Sequence, residues 1–129
     1  MKSYTDLKQS KKLKKILSEN NDLWYNYYRD DWNKVKSSGD IPSFKMASLD
    51  DIPCWSQAAL YNILPVTIGN LLEKNALRLR MDKGETNFNV WYEDLDNGCC
   101  VEDGLDVIES NPVDAYYKMI IKLHERELI

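Results

Sequence analysis

The clearest pattern of apolar and polar positions lies in residues 111–124 and predicts an amphipathic helix. Asn111 is a favoured N-cap residue, Pro112 fits the first helical turn, and Asp114 brings a carboxylate to the positive end of the helix dipole. Apolar positions then recur at helical spacing: Val113, Tyr116, Tyr117, Ile120, Leu123 and Leu128. A helix with one apolar face needs a surface to pack on, so this segment predicts tertiary packing.

The period changes to two between residues 77 and 92, which predicts antiparallel strands. The apolar members of the alternation are Leu77, Leu79 and Met81, then Phe88, Val90 and Tyr92. Residues 82–87 have the length of a hairpin loop and contain Gly84. Asp96-Asn97-Gly98 is a strong tight-turn sequence, so a third strand should begin at Cys99–Val101.

Two further helices are predicted in the first half of the chain. Thr5 can cap a helix that runs through about Ser18, with Leu7, Leu13, Ile16 and Leu17 as its apolar positions. Ser56 can cap a short helix that Pro65 closes, with Ala59, Leu60, Ile63 and Leu64 apolar.

The segment between them is ambiguous. Trp24, Tyr28, Trp32 and Val35 recur at helical spacing, which favours a helix ending near Gly39, although so many aromatic residues would suit a strand equally well. Residues 37–51 predict a linking loop. The expected fold is therefore one α+β domain over residues 1–129, with a basic helical part (1–45) and a helix–meander–helix part (52–129). In it, a three-stranded antiparallel sheet packs against the C-terminal helix and the short central helix.

The charge is divided unevenly along the chain, which has a net charge of −4. Residues 1–45 contain ten basic and six acidic residues, whereas residues 46–129 contain seven basic and fifteen acidic ones. Residues 93–109 hold seven acidic residues and no basic one. Such a surface repels phosphates, so any contact with nucleic acid is expected in the N-terminal third.

The expected location is the cytoplasm. No apolar run approaches the roughly 18 residues that a membrane helix needs, and the lysine-rich start lacks the apolar region of a secretory signal. The three cysteines, two of them adjacent, form a poor disulfide framework.

Catalytic and metal chemistry have weak support. His124 is the only histidine, so a nucleophile–base pair would need it together with Cys54 or Ser56. However, a histidine near a helix end and a serine at a helix start both have structural explanations. Adjacent Cys99 and Cys100 lack the spacing that presents two thiolates to one zinc ion. The sequence thus predicts no catalytic residue, no metal site and no cofactor.

A calcium loop starting at Asp94 also fails on spacing. The loop requires glycine at its sixth position and glutamate at its twelfth, and these positions hold Cys99 and Leu105. A hairpin turn explains the residues better.

Binding functions have broader support than enzymatic ones. Lys8, Lys11, Lys12 and Lys15 are candidates for binding a polyanion, and Trp24, Tyr28 and Trp32 are candidates for an interface or for base stacking. Four Trp and eight Tyr are more amphipathic aromatic residues than a small core usually accommodates, which favours a protein interface.

Five stretches of the sequence are similar to segments of known proteins: residues 4–13, 52–60, 63–65, 111–115 and 121–125. Together they resemble a family of small uncharacterised proteins from Bacteroides-type gut bacteria, often encoded near prophages and other mobile elements. The resemblance implies a biological setting and no mechanism. The expectation is a non-enzymatic protein-interaction or accessory protein, and the alternative is a nucleic-acid-associated accessory protein that uses its lysine-rich helix.

Overall fold

The computed structural model describes residues 2–16, 26–28, 52–69, 76–96 and 100–129. The chain divides into two compact units, Met1–Asn62 and Ile63–Ile129. Both helices and antiparallel strands are present, so the predicted α+β class is confirmed.

The first unit contains helix α1 (Leu7–Ile16), strands β1 (Asn26–Tyr28) and β2 (Ile52–Cys54), and nearly all of helix α2 (Gln57–Ile63). Ser56 caps α2 as predicted, because its Oγ accepts a hydrogen bond from the Ala59 amide at 3.1 Å. The predicted packing of this helix on the larger sheet stays a prediction.

The cap of α1 is Asp6, so the prediction of Thr5 is wrong by one residue. The Gln9 amide donates to Asp6 Oδ1 at 2.8 Å, and the Asp6 amide donates to Gln9 Oε1 at 3.1 Å. This reciprocal pair satisfies two amides of the first turn. Thr5 is instead buried, where its Oγ1 accepts from the Trp55 amide at 3.1 Å and lies 2.7 Å from Ser10 Oγ.

The helix predicted to contain Trp24 and Tyr28 and to end near Gly39 is wrong at Asn26–Tyr28. These residues form β1, which pairs antiparallel with β2 in the register Tyr28 to Ile52. Aromatic residues suit strands well, and a pairing partner 24 positions along the chain is a feature that local periodicity does not reveal.

The second unit is a four-stranded antiparallel sheet with one helix packed on it. Its strands are β3 (Thr67–Ile68), β4 (Leu77–Lys83), β5 (Phe88–Asp94) and β6 (Cys100–Glu109), in that spatial order, and its helix is α3 (Pro112–Glu125). The prediction of three strands is wrong, since the sheet has four. The unpredicted strand, β3, has two residues and is too short to show an alternation in the sequence.

One face of the sheet, here called the inner face, carries the core of this unit. It presents the buried side chains Leu77, Leu79, Phe88, Val90, Tyr92 and Val107. Helix α3 contributes Val113, Tyr116, Met119, Ile120 and Leu123, all buried. Phe88 and Tyr116 meet edge to face with ring centroids 5.5 Å apart.

The ends of α3 show which details of the helix prediction hold. Asn111 is the N-cap, since its Oδ1 accepts from the Asp114 amide at 2.9 Å, and Pro112 begins the helix. The sequence pattern places Leu128 on the apolar face, and this prediction is wrong, because Leu128 follows the end of the helix and is 37% exposed. Glu127, at φ 59°, has already turned the chain out of the helix.

The opposite face of the sheet is here called the outer face. By strand alternation and pairing it presents Arg78, Arg80, Asp82, Asn89, Trp91, Glu93, Val101, Asp106 and Ile108. Between Trp91 and Glu93 the register with β6 shifts, so that β6 bulges around Gly104 at φ 77°.

Candidate interaction surfaces

The buried thiol of Cys54 is unsuited to nucleophilic catalysis. Cys54 is fully buried in the first unit, and burial raises the pKa of its thiol to about 12. The thiolate is the reactive form of cysteine, and a raised pKa removes it at neutral pH. His124 is exposed near the end of α3, where a basic side chain complements the helix dipole.

The described residues contain no group of three or more His, Cys, Asp and Glu side chains that could hold a metal ion. Asp94, the first residue of the rejected calcium loop, is largely buried, and its Oδ1 accepts from the Asp96 amide at 2.9 Å. That contact is a local turn, as the hairpin interpretation expected. Cys99 lies outside the described residues, and Cys100 is exposed.

Four lysines form one exposed face of α1, here called the lysine face. Lys8, Lys11, Lys12 and Lys15 stand at positions i, i+3, i+4 and i+7, so helical geometry groups them. The buried residues Ser10 and Leu13 lie on the other side of the helix. Within the described part of the chain, none of the four lysines makes an ion pair. Binding of a polyanion by the lysine face stays a prediction.

The predicted interface aromatics are only partly covered by the structure. The backbone of Tyr28 lies in β1, whereas Trp24 and Trp32 fall outside the described residues. Their proposed role at an interface stays a prediction.

Several acidic residues of the stretch 93–109 interact with basic side chains of the second unit. Glu93 accepts from Arg80 Nε at 2.6 Å, and Glu109 accepts from Lys118, which raises the pKa of the Lys118 ammonium. Glu102 lies 3.9 Å from a guanidinium nitrogen of Arg126. Much of this stretch therefore has structural partners, although sequence composition alone suggested a solvated surface.

Helix α3 also covers the bulge of β6 with basic side chains. Lys122 Nζ donates to the Gly104 carbonyl at 3.3 Å, and Arg126 donates to the Asp103 carbonyl. Lys118, Lys122 and Arg126 recur every four residues, so they lie in one row along the helix. This spacing was visible in the sequence and could have predicted a helix side that faces the acidic strand.

The outer face combines apolar and charged groups in three rows across β4, β5 and β6. The rows are Arg78–Glu93–Val101, Arg80–Trp91–Asp106 and Asp82–Asn89–Ile108. Trp91 is partly exposed, Val101 is 51% exposed and Ile108 is 62% exposed. Apolar side chains thus occupy the middle and the β6 side of a face whose β4 side carries two arginines.

The candidate site residues predicted from the sequence do not include those of the outer face. The usable signal was Trp91, which stands at an outward position between the inward-facing Val90 and Tyr92. A large aromatic on the wet side of an amphipathic strand is a candidate contact residue. The β6 members could not be found in the same way, because the bulge interrupts the alternation.

Comparisons with protein-family models, curated proteins and solved structures gave no match to this chain. None of the helices in the described ranges combines the length and the apolar character needed to cross a membrane.

Proposed function

We propose that this chain is a non-enzymatic binding protein that docks a protein partner on the outer face of its four-stranded sheet. The observation that carries the proposal is the presence of the exposed Val101 and Ile108 and the partly exposed Trp91 on the face opposite α3. Aromatic and branched apolar residues surrounded by charged groups have the composition of a protein interface.

Charge defines the chemistry of the partner. Arg78 and Arg80 lie on the β4 side of the outer face, whereas Asp106 lies on the β6 side. A fitting partner has an apolar centre, carboxylates where it meets β4, and a basic group where it meets β6. Phosphate groups are disfavoured here because the carboxylates of Asp82 and Asp106 are exposed on the same face.

The proposed setting is the cytoplasm of a gut bacterium or of a cell carrying its mobile elements. It is supported by the sequence resemblance alone.

Site-specific photocrosslinking in cells tests the docking surface. A benzophenone amino acid replaces Ile108 on the outer face or, as the control, Glu125 on the exposed side of α3. We expect a protein adduct of discrete mass from position 108 and none from position 125. No adduct from position 108, or the same adducts from both positions, would contradict the proposal.

A second candidate function is binding of nucleic acid through the lysine face. It is favoured by the four exposed lysines on one side of α1. Such binding neutralises phosphates and therefore weakens steeply as salt increases.

Retention on immobilised DNA and RNA tests this candidate. Replacing Lys11, Lys12 and Lys15 with Gln should abolish retention, or lower the slope of log affinity against log salt by about one for each lysine removed. Lys83→Gln, at an exposed lysine of the second unit, is the control and should change neither. Absence of retention at low salt would remove this candidate.

A further inference from the structure

The middle row of the outer face is self-complementary in charge. Pairing places Arg80 beside Trp91 and Trp91 beside Asp106, so a cation, an aromatic ring and a carboxylate follow one another across three strands. Arg80 and Asp106 are both exposed. Arg80 binds Glu93, and its side chain is 45% exposed, so its positive charge lies at the surface of this row.

A two-fold axis parallel to β5 would bring this row against its own copy. The axis places Trp91 against Trp91 of the second copy, and it exchanges the β4 and β6 sides. Arg80 then faces Asp106 of the second copy, and Asp106 faces its Arg80, so two opposite-charge contacts flank an aromatic centre. Isologous contacts of this kind close after two subunits, and face-to-face packing of sheets keeps strands nearly aligned.

Edge-to-edge pairing of two β6 strands is a poorer arrangement. It would bring the carboxylates of two acidic strands together, and β6 is interrupted by its bulge. The basic side chains Lys122 and Arg126 already occupy carbonyls of that bulge. The same axis brings Glu93 of the outer face against its own copy, but each of these carboxylates is already paired with Arg80 of its own chain.

We propose that the partner docked on the outer face is a second copy of this chain, bound face to face through Trp91 and the Arg80–Asp106 contacts. This inference rests on the proposed function, since it names the partner of the same surface. The protein is then a symmetric homodimer whose outer faces are buried in its interface.

Sedimentation equilibrium of the full-length chain and two charge-reversed variants tests the dimer. Arg80→Glu and Asp106→Lys each place two like-charge contacts in the interface. Each should raise the dissociation constant about tenfold or more. An equimolar mixture of the two variants restores opposite charges at both contacts, so we expect it to recover the wild-type association as a heterodimer.

Thermal unfolding of each variant provides the folding control, because Arg80→Glu also removes the contact with Glu93. If that variant unfolds, Asp106→Lys compared with the conservative Asp106→Glu keeps the test intact. Asp106→Glu should retain the dimer and Asp106→Lys should lose it.

A wild-type monomer at every accessible concentration, or variants that dimerise as the wild type does, would overturn the inference. The crosslinked mass separates this failure from failure of the proposed function. An adduct of twice the chain mass from position 108 supports the second copy. An adduct of another mass leaves a protein-binding face with a different partner, and absence of any adduct contradicts both proposals.

Discussion

Both faces of the four-stranded sheet carry apolar side chains, but these side chains are buried on the inner face and exposed to solvent on the outer face. On the inner face, Val90 and Tyr92 are at most 1% exposed and α3 supplies fully buried residues such as Ile120. On the outer face, Ile108 is 62% exposed beside a partly exposed tryptophan. Burial of apolar area is the main source of folding stability, so only the inner face explains why this unit folds. The apolar groups of the outer face are left for another role.

Matched isoleucines provide the largest expected difference between the faces. Ile120→Ala should lower the free energy of unfolding by about 2–5 kcal/mol, because it removes buried atoms and leaves a cavity. Ile108→Ala makes the same chemical change at an exposed position and should stay within about 0.5 kcal/mol of wild type. Urea unfolding of the monomeric protein measures both values. Equal losses would show that the outer face is also part of the core.

The bulge of β6 lies at the edge of the sheet. A substitution there should have a smaller effect on the free energy of unfolding than Ile120→Ala. Gly104 has φ 77°, and a side chain there would also meet the guanidinium of Arg126. Gly104→Ala should therefore cost about 1–3 kcal/mol.

Gly84, in the turn between β4 and β5, is the control for this substitution. Its φ is not positive, and an added Cβ would meet Asn87 O at an ordinary 3.4 Å. Gly84→Ala should remain within about 1 kcal/mol of wild type. Urea unfolding of the Gly104→Ala and Gly84→Ala variants measures both free-energy changes. A Gly104→Ala variant as stable as the wild type would contradict the claim that the positive φ of residue 104 requires glycine.

The smallest expected change concerns a polar contact of the inner face. The Tyr92 hydroxyl donates to the Pro65 carbonyl at 2.7 Å, so Tyr92→Phe should cost about 0.5–1.5 kcal/mol at neutral pH. Burial raises the pKa of Tyr92 above its usual value. The tyrosine contribution is therefore fully present below about pH 10, where unfolded tyrosine titrates, and is lost as pH rises toward the higher folded pKa.

Unfolding of wild type and Tyr92→Phe across this pH range measures the change. The wild type should lose stability relative to the variant above about pH 10. A difference between the two proteins that does not vary with pH would contradict burial of this hydroxyl in the folded state.

Local sequence signals predicted the elements that depend on neighbouring residues. Asn111, Pro112 and Asp114 located the start of α3, and the alternation from Leu77 to Tyr92 located β4 and β5. Ser56 identified the start of α2 for the same reason, because a cap acts within one helical turn.

Features that depend on distant pairing could not be predicted in this way. β1 is three residues long and is defined by its partner β2, and β3 is two residues long and is defined by β4. The outward position of Val101 and Ile108 depends on the bulge in β6, which shifts the alternation between them. The candidate surface therefore emerged only from the pairing register, whereas the lysine face followed directly from helical spacing.

The most direct test of the outer face as a binding surface measures partner binding and folding stability in the same variant. Ile108→Glu is made in a chain that carries the benzophenone amino acid at Val101, which lies on the same strand and the same face. We predict that the thermal unfolding midpoint, measured at a concentration at which the chain is monomeric, is unchanged and that the adduct formed from position 101 disappears. Persistence of the adduct, or a loss of stability comparable to that of Ile120→Ala, would contradict the assignment of binding to this face.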